Sequence, residues 1–123
     1  MDLKDYIRSI KDYPKKGILF RDITTLIKNE TAFEETINQI VERSKKFKVD
    51  KIAAIESRGF VFASAVSYIL KKPFIMLRKK NKLPSDTHSV DFKLEYGTAT
   101  IEVHKDSINK DDKVLIIDDL IAT

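Results

Sequence analysis

The sequence contains no cysteine. That excludes a disulfide framework and any thiolate metal site. Glycine and proline are scarce, three of each. No Gly/Ser/Pro-rich linker, internal repeat or low-complexity tract interrupts the chain. No apolar run approaches the ~18 residues of a membrane span. The charged opening Met1-Asp2-Leu3-Lys4-Asp5 lacks the apolar core of a secretory signal. Two glycine-rich phosphate motifs, G-x-G-x-x-G and G-x-x-x-x-G-K, are also missing, which disfavours a dinucleotide-binding Rossmann domain and a P-loop enzyme. The simplest reading is a soluble cytoplasmic protein with no membrane contact.

What is present suits one domain. The 123 residues are 42% hydrophobic, in periodic blocks, enough to bury a core. Net charge is +4, from 23 basic and 19 acidic residues that are interspersed. A basic domain suggests nucleic acid, but an anionic small molecule explains the excess equally well.

Asp2 can cap a short helix with Leu3, Ile7 and Ile10 on one face. A loop over 11–17 follows, and the stretch 18–26 alternates poorly for either helix or strand. Within it, Phe20 beside Arg21 offers a flat, partly polar wall for a heterocycle; ordinary packing is the plainer reading. Thr31 and Glu34 have capping-box spacing. They predict a helix over 31–47, with Phe33, Ile37, Ile40, Val41 and Phe47 on its apolar face. Residues 51–55 form a short apolar strand, 60–70 a mostly buried helix and 73–77 a second strand, which together make a βαβ unit. The stretches 90–96 and 98–104 alternate strictly around Gly97 and predict a hairpin. The run Val114-Leu115-Ile116-Ile117 fits a strand buried on both faces of a parallel sheet.

Three strands end in chemistry. Ser57-Arg58-Gly59 suits an anion at a helix start, or is a simple turn. Arg78-Lys79-Lys80-Asn81-Lys82-Leu83-Pro84 is the densest basic segment: a solvated loop, or a polyphosphate site. It lacks the interleaved aromatics of a nucleic-acid surface. Asp118 and Asp119 can grip vicinal hydroxyls or the water shell of Mg²⁺ where ligands of α/β sheets sit, or can merely end the strand. His88 and His104 stand alone and read as structural or surface residues. Positive and negative groups are separated along the chain, which suits a ligand with a dense anionic part and a hydroxyl-bearing sugar.

Val114 to Thr123 resembles the phosphoribosyl pyrophosphate motif of type I phosphoribosyltransferases: four apolar residues, two acidic, two apolar, then Ala-Thr. Four further segments narrow the resemblance to the adenine phosphoribosyltransferase family. They are Gly17-Ile18-Leu19-Phe20-Arg21-Asp22-Ile23-Thr24, Glu56-Ser57-Arg58-Gly59-Phe60, the basic segment 78–84, and Leu94-Glu95-Tyr96-Gly97. The resemblance implies an α/β type I phosphoribosyltransferase fold, a mostly parallel sheet flanked by helices with an inserted β-hairpin lid. It implies a single domain over 1–123, with an adenine-side segment at 1–30 and a core at 31–123 whose lid hairpin spans about 82–104.

The implied reaction moves the phosphoribosyl group from phosphoribosyl pyrophosphate to N9 of adenine, giving AMP and pyrophosphate through an oxocarbenium-like state at C1′. Leu19, Phe20 and Arg21 would hold adenine. Arg58, Arg78, Lys79 and Lys82 would hold pyrophosphate, Arg58 in a turn that often carries a non-proline cis peptide in the family. Asp118 and Asp119 would hold the ribose hydroxyls, directly or through water on Mg²⁺, with no direct metal ligand. Glu95 is the implied general acid/base, Tyr96 shares the lid with Lys82, and Ala122 and Thr123 begin the 5′-phosphate turn. A homodimer is implied, and no nucleic-acid partner. The family's following Gly-Gly-Thr turn and C-terminal part are missing from the sequence. The expectation is therefore either a fragment of a longer protein or, for the sequence as it stands, a half-built phosphate pocket, exposed apolar surface on the last strand that another chain must cover, and weak catalysis. Other readings are a purine- or phosphoribosyl pyrophosphate-sensing regulator on the same fold, a xanthine or hypoxanthine phosphoribosyltransferase, and a general nucleic-acid binder.

Overall fold

Residues 1–94 and 97–121 are described by the computed structural model, the side chain of Leu94 excepted. The chain divides into two units, Met1–Arg43 and Ser44–Thr123.

In the first unit Asp2 caps a 3-10 turn, Leu3–Tyr6, accepting from the Lys4 N–H at 3.0 Å. The turn goes no further. Ile7 is extended, and Arg8–Lys11 form strand β1 where a longer helix was expected. Its partner is β2, Leu19–Asp22, antiparallel, with Ile10 opposite Phe20 and Arg8 opposite Asp22. Each strand is too short to show a period of its own, so cross-strand pairing decides the conformation. Between them the Asp12 carboxylate accepts from the Gly17 N–H at 2.8 Å, and Gly17 sits at φ +90°, where a side chain would be strained.

Asp22 joins β2 to helix α1, Thr24–Ile27. Its Oδ1 accepts from both the N–H and the hydroxyl of Thr24, and its Oδ2 from Arg8 Nε at 3.0 Å. Helix α2 covers Glu30–Ser44, starting earlier and stopping sooner than the spacing predicts. Asn29 caps it, its Oδ1 accepting from the Ala32 N–H at 2.9 Å. Asn is a better cap than Thr, so the Thr31–Glu34 box is not used. Ala32, Ile37 and Val41 are buried, whereas Phe47 lies beyond the helix and is 69% exposed.

The second unit carries a five-stranded mixed sheet in the order β5-β6-β4-β3-β7. The βαβ unit consists of β3 (Lys51–Ile55), α3 (Arg58–Leu70) and β4 (Phe74–Lys79), with β3 and β4 parallel. Ile52, Ala53 and Ala54 are buried at its centre. Helix α3 packs on both strands, the Phe60 ring edge-on to Phe74 at 5.4 Å. It buries only one face, that of Gly59, Phe62, Ala63, Val66 and Ser67; Tyr68 is 86% exposed. The mostly buried helix of the sequence reading is thus amphipathic. Strand β4 runs on through Arg78 and Lys79 because β6 pairs with it there, Arg78 opposite Glu102.

The hairpin is β5 (Thr87–Leu94) and β6 (Gly97–His104), and it extends the main sheet through β6. Leu94 pairs with Gly97, so Gly97 opens a strand and is not the turn residue. Strand β7, Val114–Ile116, lies parallel to β3 on the far side. Lys51 ties the approach to β7, its Nζ reaching Asp112 Oδ2 at 2.7 Å and the Ser107 carbonyl at 2.8 Å. Burial of β7 on both faces is not seen: Ile117 is buried but Ile116 is 60% exposed. No helix among the described residues is long and apolar enough to cross a membrane.

Candidate active site

Strands β4, β3 and β7 are parallel neighbours, so their carboxyl ends share one edge of the sheet. Ligands of α/β sheets gather at such an edge. Here β4 ends in Arg78 and Lys79, β3 is followed by Glu56-Ser57-Arg58, and β7 by Asp118-Asp119.

The turn after β3 sets the geometry. The Glu56 N–H carries the ladder one step past β3, donating to the Leu77 carbonyl at 3.0 Å. The Glu56–Ser57 peptide is cis, as the resemblance implies. Arg58 opens α3 and Gly59 follows it, buried. A Cβ on Gly59 would lie 3.1 Å from both Asp118 Oδ1 and the Ile117 carbonyl. A side chain there would push the end of β7 away by a few tenths of an ångström, so glycine eases the close approach of α3 to it. Beside this contact Arg58 Nε meets Asp119 Oδ2 at 3.0 Å.

The two carboxylates of the acidic pair differ. Asp118 is exposed, and its Oδ1 accepts from the Asp119 N–H at 2.8 Å. The Asp119 side chain is mostly buried. That burial pushes its carboxyl above the ordinary 3.8; Asp118 raises it further, and the Arg58 guanidinium opposes the rise.

Among the basic groups, Glu56 Oε1 accepts from the Lys79 N–H at 2.7 Å and from Arg78 Nε at 3.2 Å. The Lys79 N–H, more than the Arg78 charge, holds the Glu56 carboxyl below the usual range. Lys79 and Lys82 have exposed side chains, and a turn joins them, Lys82 N–H to Lys79 carbonyl at 3.3 Å. Glu102 fastens this segment to the hairpin, Oε1 accepting from the Asn81 N–H and Oε2 from the Thr87 hydroxyl. His104 accepts from the Ser85 N–H at 3.2 Å and His88 is exposed.

The structure thus gathers Arg58, Arg78, Lys79, Asp118 and Asp119 on one sheet edge. It corrects one expectation: charges of opposite sign are not kept apart, since Arg58 is paired with Asp119 and Arg78 with Glu56. Glu56 is the residue sequence reasoning passed over. Its signal was a carboxylate directly before Ser57-Arg58 in a basic neighbourhood. Glu95, Tyr96, Ala122 and Thr123 lie outside the described residues. Among the described residues, no three His, Asp or Glu side chains gather to ligate a metal.

In the first unit, Leu19, Phe20 and Arg21 share β2, whose alternation puts Phe20 on the face opposite the other two. Leu19 is half exposed, and the Phe20 ring lies edge-on to Tyr13 at 5.1 Å. Arg21 Nη1 donates to Ser9 Oγ. Below them Asp22 is buried, its carboxyl brought down to about 2 by the Thr24 hydroxyl and N–H and by Arg8.

Residues 22–123 match the family model described as a phosphoribosyl transferase domain. Over all 123 residues the chain is 86% identical to the adenine phosphoribosyltransferase of Pelagibacter ubique, and it spans 70% of that relative's length. The solved adenine phosphoribosyltransferase of Thermoanaerobacter pseudethanolicus superposes with a TM-score of 0.94 at 45% identity, over 98% of this chain and 70% of that one. The Saccharomyces cerevisiae enzyme, solved with an iminoaltritol bisphosphate and adenine, gives 0.90 at 32% identity, with the same two coverages.

Proposed function

Because the chain belongs to the adenine phosphoribosyltransferase family, we propose that it transfers the phosphoribosyl group of phosphoribosyl pyrophosphate to adenine, forming AMP and pyrophosphate. The observation that carries this reading is the sheet edge itself. An acidic pair stands at the end of β7 and cations at the ends of β4 and β3, Arg58 within 3.0 Å of Asp119. Although Arg58 and Arg78 are ion-paired, the order along the edge, with Arg78 and Lys79 at β4, Arg58 after β3 and the acidic pair after β7, suits a donor carrying polyphosphate at one end and hydroxyls at the other.

Arg58, Arg78, Lys79 and Lys82 take the pyrophosphate, and Asp118 and Asp119 the ribose hydroxyls. As the C1′–oxygen bond breaks, the cations stabilise the charge that collects on the leaving pyrophosphate. The carboxylates stabilise the cationic sugar. Leu19, Phe20 and Arg21, within an adenine-side segment over 1–30, receive the base. Glu95 takes the proton lost as N9 bonds to C1′. Tyr96 and Lys82 belong to a lid over about 82–104 that excludes water, and Ala122 and Thr123 open the 5′-phosphate turn.

Asp118 and Asp119 can accept hydrogen bonds from the water shell of an Mg²⁺ brought in by the donor. When bound, that ion neutralises charge on the pyrophosphate. A homodimer in the cytoplasm belongs to the same reading.

The test is competition. The protein is given phosphoribosyl pyrophosphate, Mg²⁺ and equal adenine, hypoxanthine and xanthine, and the nucleotides are separated. AMP should dominate. The nucleotide of hypoxanthine or xanthine in its place would assign a sibling enzyme. Donor binding with no nucleotide formed would assign a sensor.

A further inference from the structure

Glu56 stands among cations and has no part in the roles above. By charge alone a carboxylate there opposes an incoming polyphosphate, so its contacts call for a reason. Its main chain lies beside the end of β4, N–H to the Leu77 carbonyl, and its side chain then grips that end twice, at the Lys79 N–H and at Arg78 Nε. The Glu56 side chain is 12% exposed and that of Arg78 31%. A guanidinium held by Nε keeps both Nη groups to offer an anion in a fixed fork. Holding a long, flexible side chain in advance removes ordering cost from binding. Glu102, the cross-strand neighbour of Arg78, has its oxygens engaged by the Asn81 N–H and the Thr87 hydroxyl. Among the described residues, the side chain seen to hold Arg78 is Glu56.

We propose that Glu56 is a positioning residue for the pyrophosphate group: it anchors Arg78 through Nε, and the end of β4 through the Lys79 N–H, so that the guanidinium presents its Nη edge to the anion. The proposal rests on the phosphoribosyl pyrophosphate reading above.

The experiment titrates Mg²⁺-pyrophosphate by calorimetry into the wild type, Glu56→Ala, Glu56→Gln, Arg78→Ala and the Glu56→Ala/Arg78→Ala double variant. KM for donor and for adenine, and thermal unfolding, are measured beside it. Glu56→Ala should weaken pyrophosphate about tenfold and raise the donor KM alike, with the adenine KM unmoved. Glu56→Gln should recover much of the loss, because its amide oxygen accepts the same two N–H groups. The double variant should be no weaker than Arg78→Ala. Tighter pyrophosphate binding in both Glu56 variants would overturn the proposal in favour of a bare charge effect. So would additive losses, or changes in every parameter that follow thermal stability. If the wild type binds pyrophosphate and Glu56→Ala binds it equally, the proposal alone fails. If the wild type binds neither pyrophosphate nor donor, the functional reading fails and takes the proposal with it.

Discussion

Gly59 has no side chain where Asp118 and the Ile117 carbonyl already stand. In a helix Ala is worth about 1 kcal/mol more than Gly, whereas overpacking costs about 1–3 kcal/mol. One of the two contacts is main chain and cannot swing away, so the cost wins. Gly59→Ala should lower stability by about 1 kcal/mol in denaturant titration and weaken donor binding by displacing Asp118; unchanged stability and affinity would contradict the tight contact. Asp22 shows the opposite logic, a carboxylate stabilised by what surrounds it. Its folded value of about 2 lies below the ordinary 3.8, so its contribution is complete above about pH 4 and is lost as pH falls through 2. The stability gap between wild type and Asp22→Asn should hold constant above pH 4 and close towards pH 2; a gap independent of pH would refute the assignment. At this scale the acidic pair and Arg58 were legible because their chemistry follows strand ends directly. Glu56 was not, because its partners lie 22 and 23 residues away, and a carboxylate directly before Ser57-Arg58 does not by itself say what it pairs with.

The elements read best where the sequence carries a clear pattern. Strand β3 stood out as an unbroken apolar run and the hairpin by its alternation in sequence, although the structure buries no described residue of the hairpin and leaves Val90 68% exposed. Strands β1 and β2 were missed, since four residues apiece carry no period and only their mutual pairing holds them. Helix α2 was found, but its cap lies two residues before the capping-box position, at Asn29, the stronger capping residue of the two. Glu102 gives a prediction at this scale, as it alone is seen to bind both Asn81 and Thr87. Its removal should loosen the basic segment from the hairpin while the β5–β6 ladder persists. In Glu102→Ala the Asn81 amide should exchange about tenfold faster, the equivalent of about 1.4 kcal/mol, with strand amides unaffected. Equal acceleration along β6 would mean instead that the hairpin itself had loosened.

For the whole molecule, the parallel core and its charged edge followed from the succession of elements along the chain and from where polar residues interrupt apolar runs. The order β5-β6-β4-β3-β7 did not, because edge positions depend on long-range pairing. The pairing of cations with carboxylates did not either, because a linear sequence separates groups that a sheet edge brings together. The central claim is that this edge does the chemistry, and Asp119 is its most telling member. Burial raises its carboxyl, so the folded state favours the protonated form and bears a cost when Asp119 is ionised at neutral pH. An amide removes that cost, and the difference should shrink as pH falls through the raised folded value towards about 4, below which folded and unfolded Asp119 are both protonated. The decisive measurement is AMP formation from adenine and phosphoribosyl pyrophosphate by wild type and Asp119→Asn at pH 7, with thermal unfolding of both. The account predicts turnover lower by on the order of 100-fold and an unfolding temperature at or above that of the wild type. Wild-type turnover in the variant would contradict it and remove the acidic pair from the mechanism.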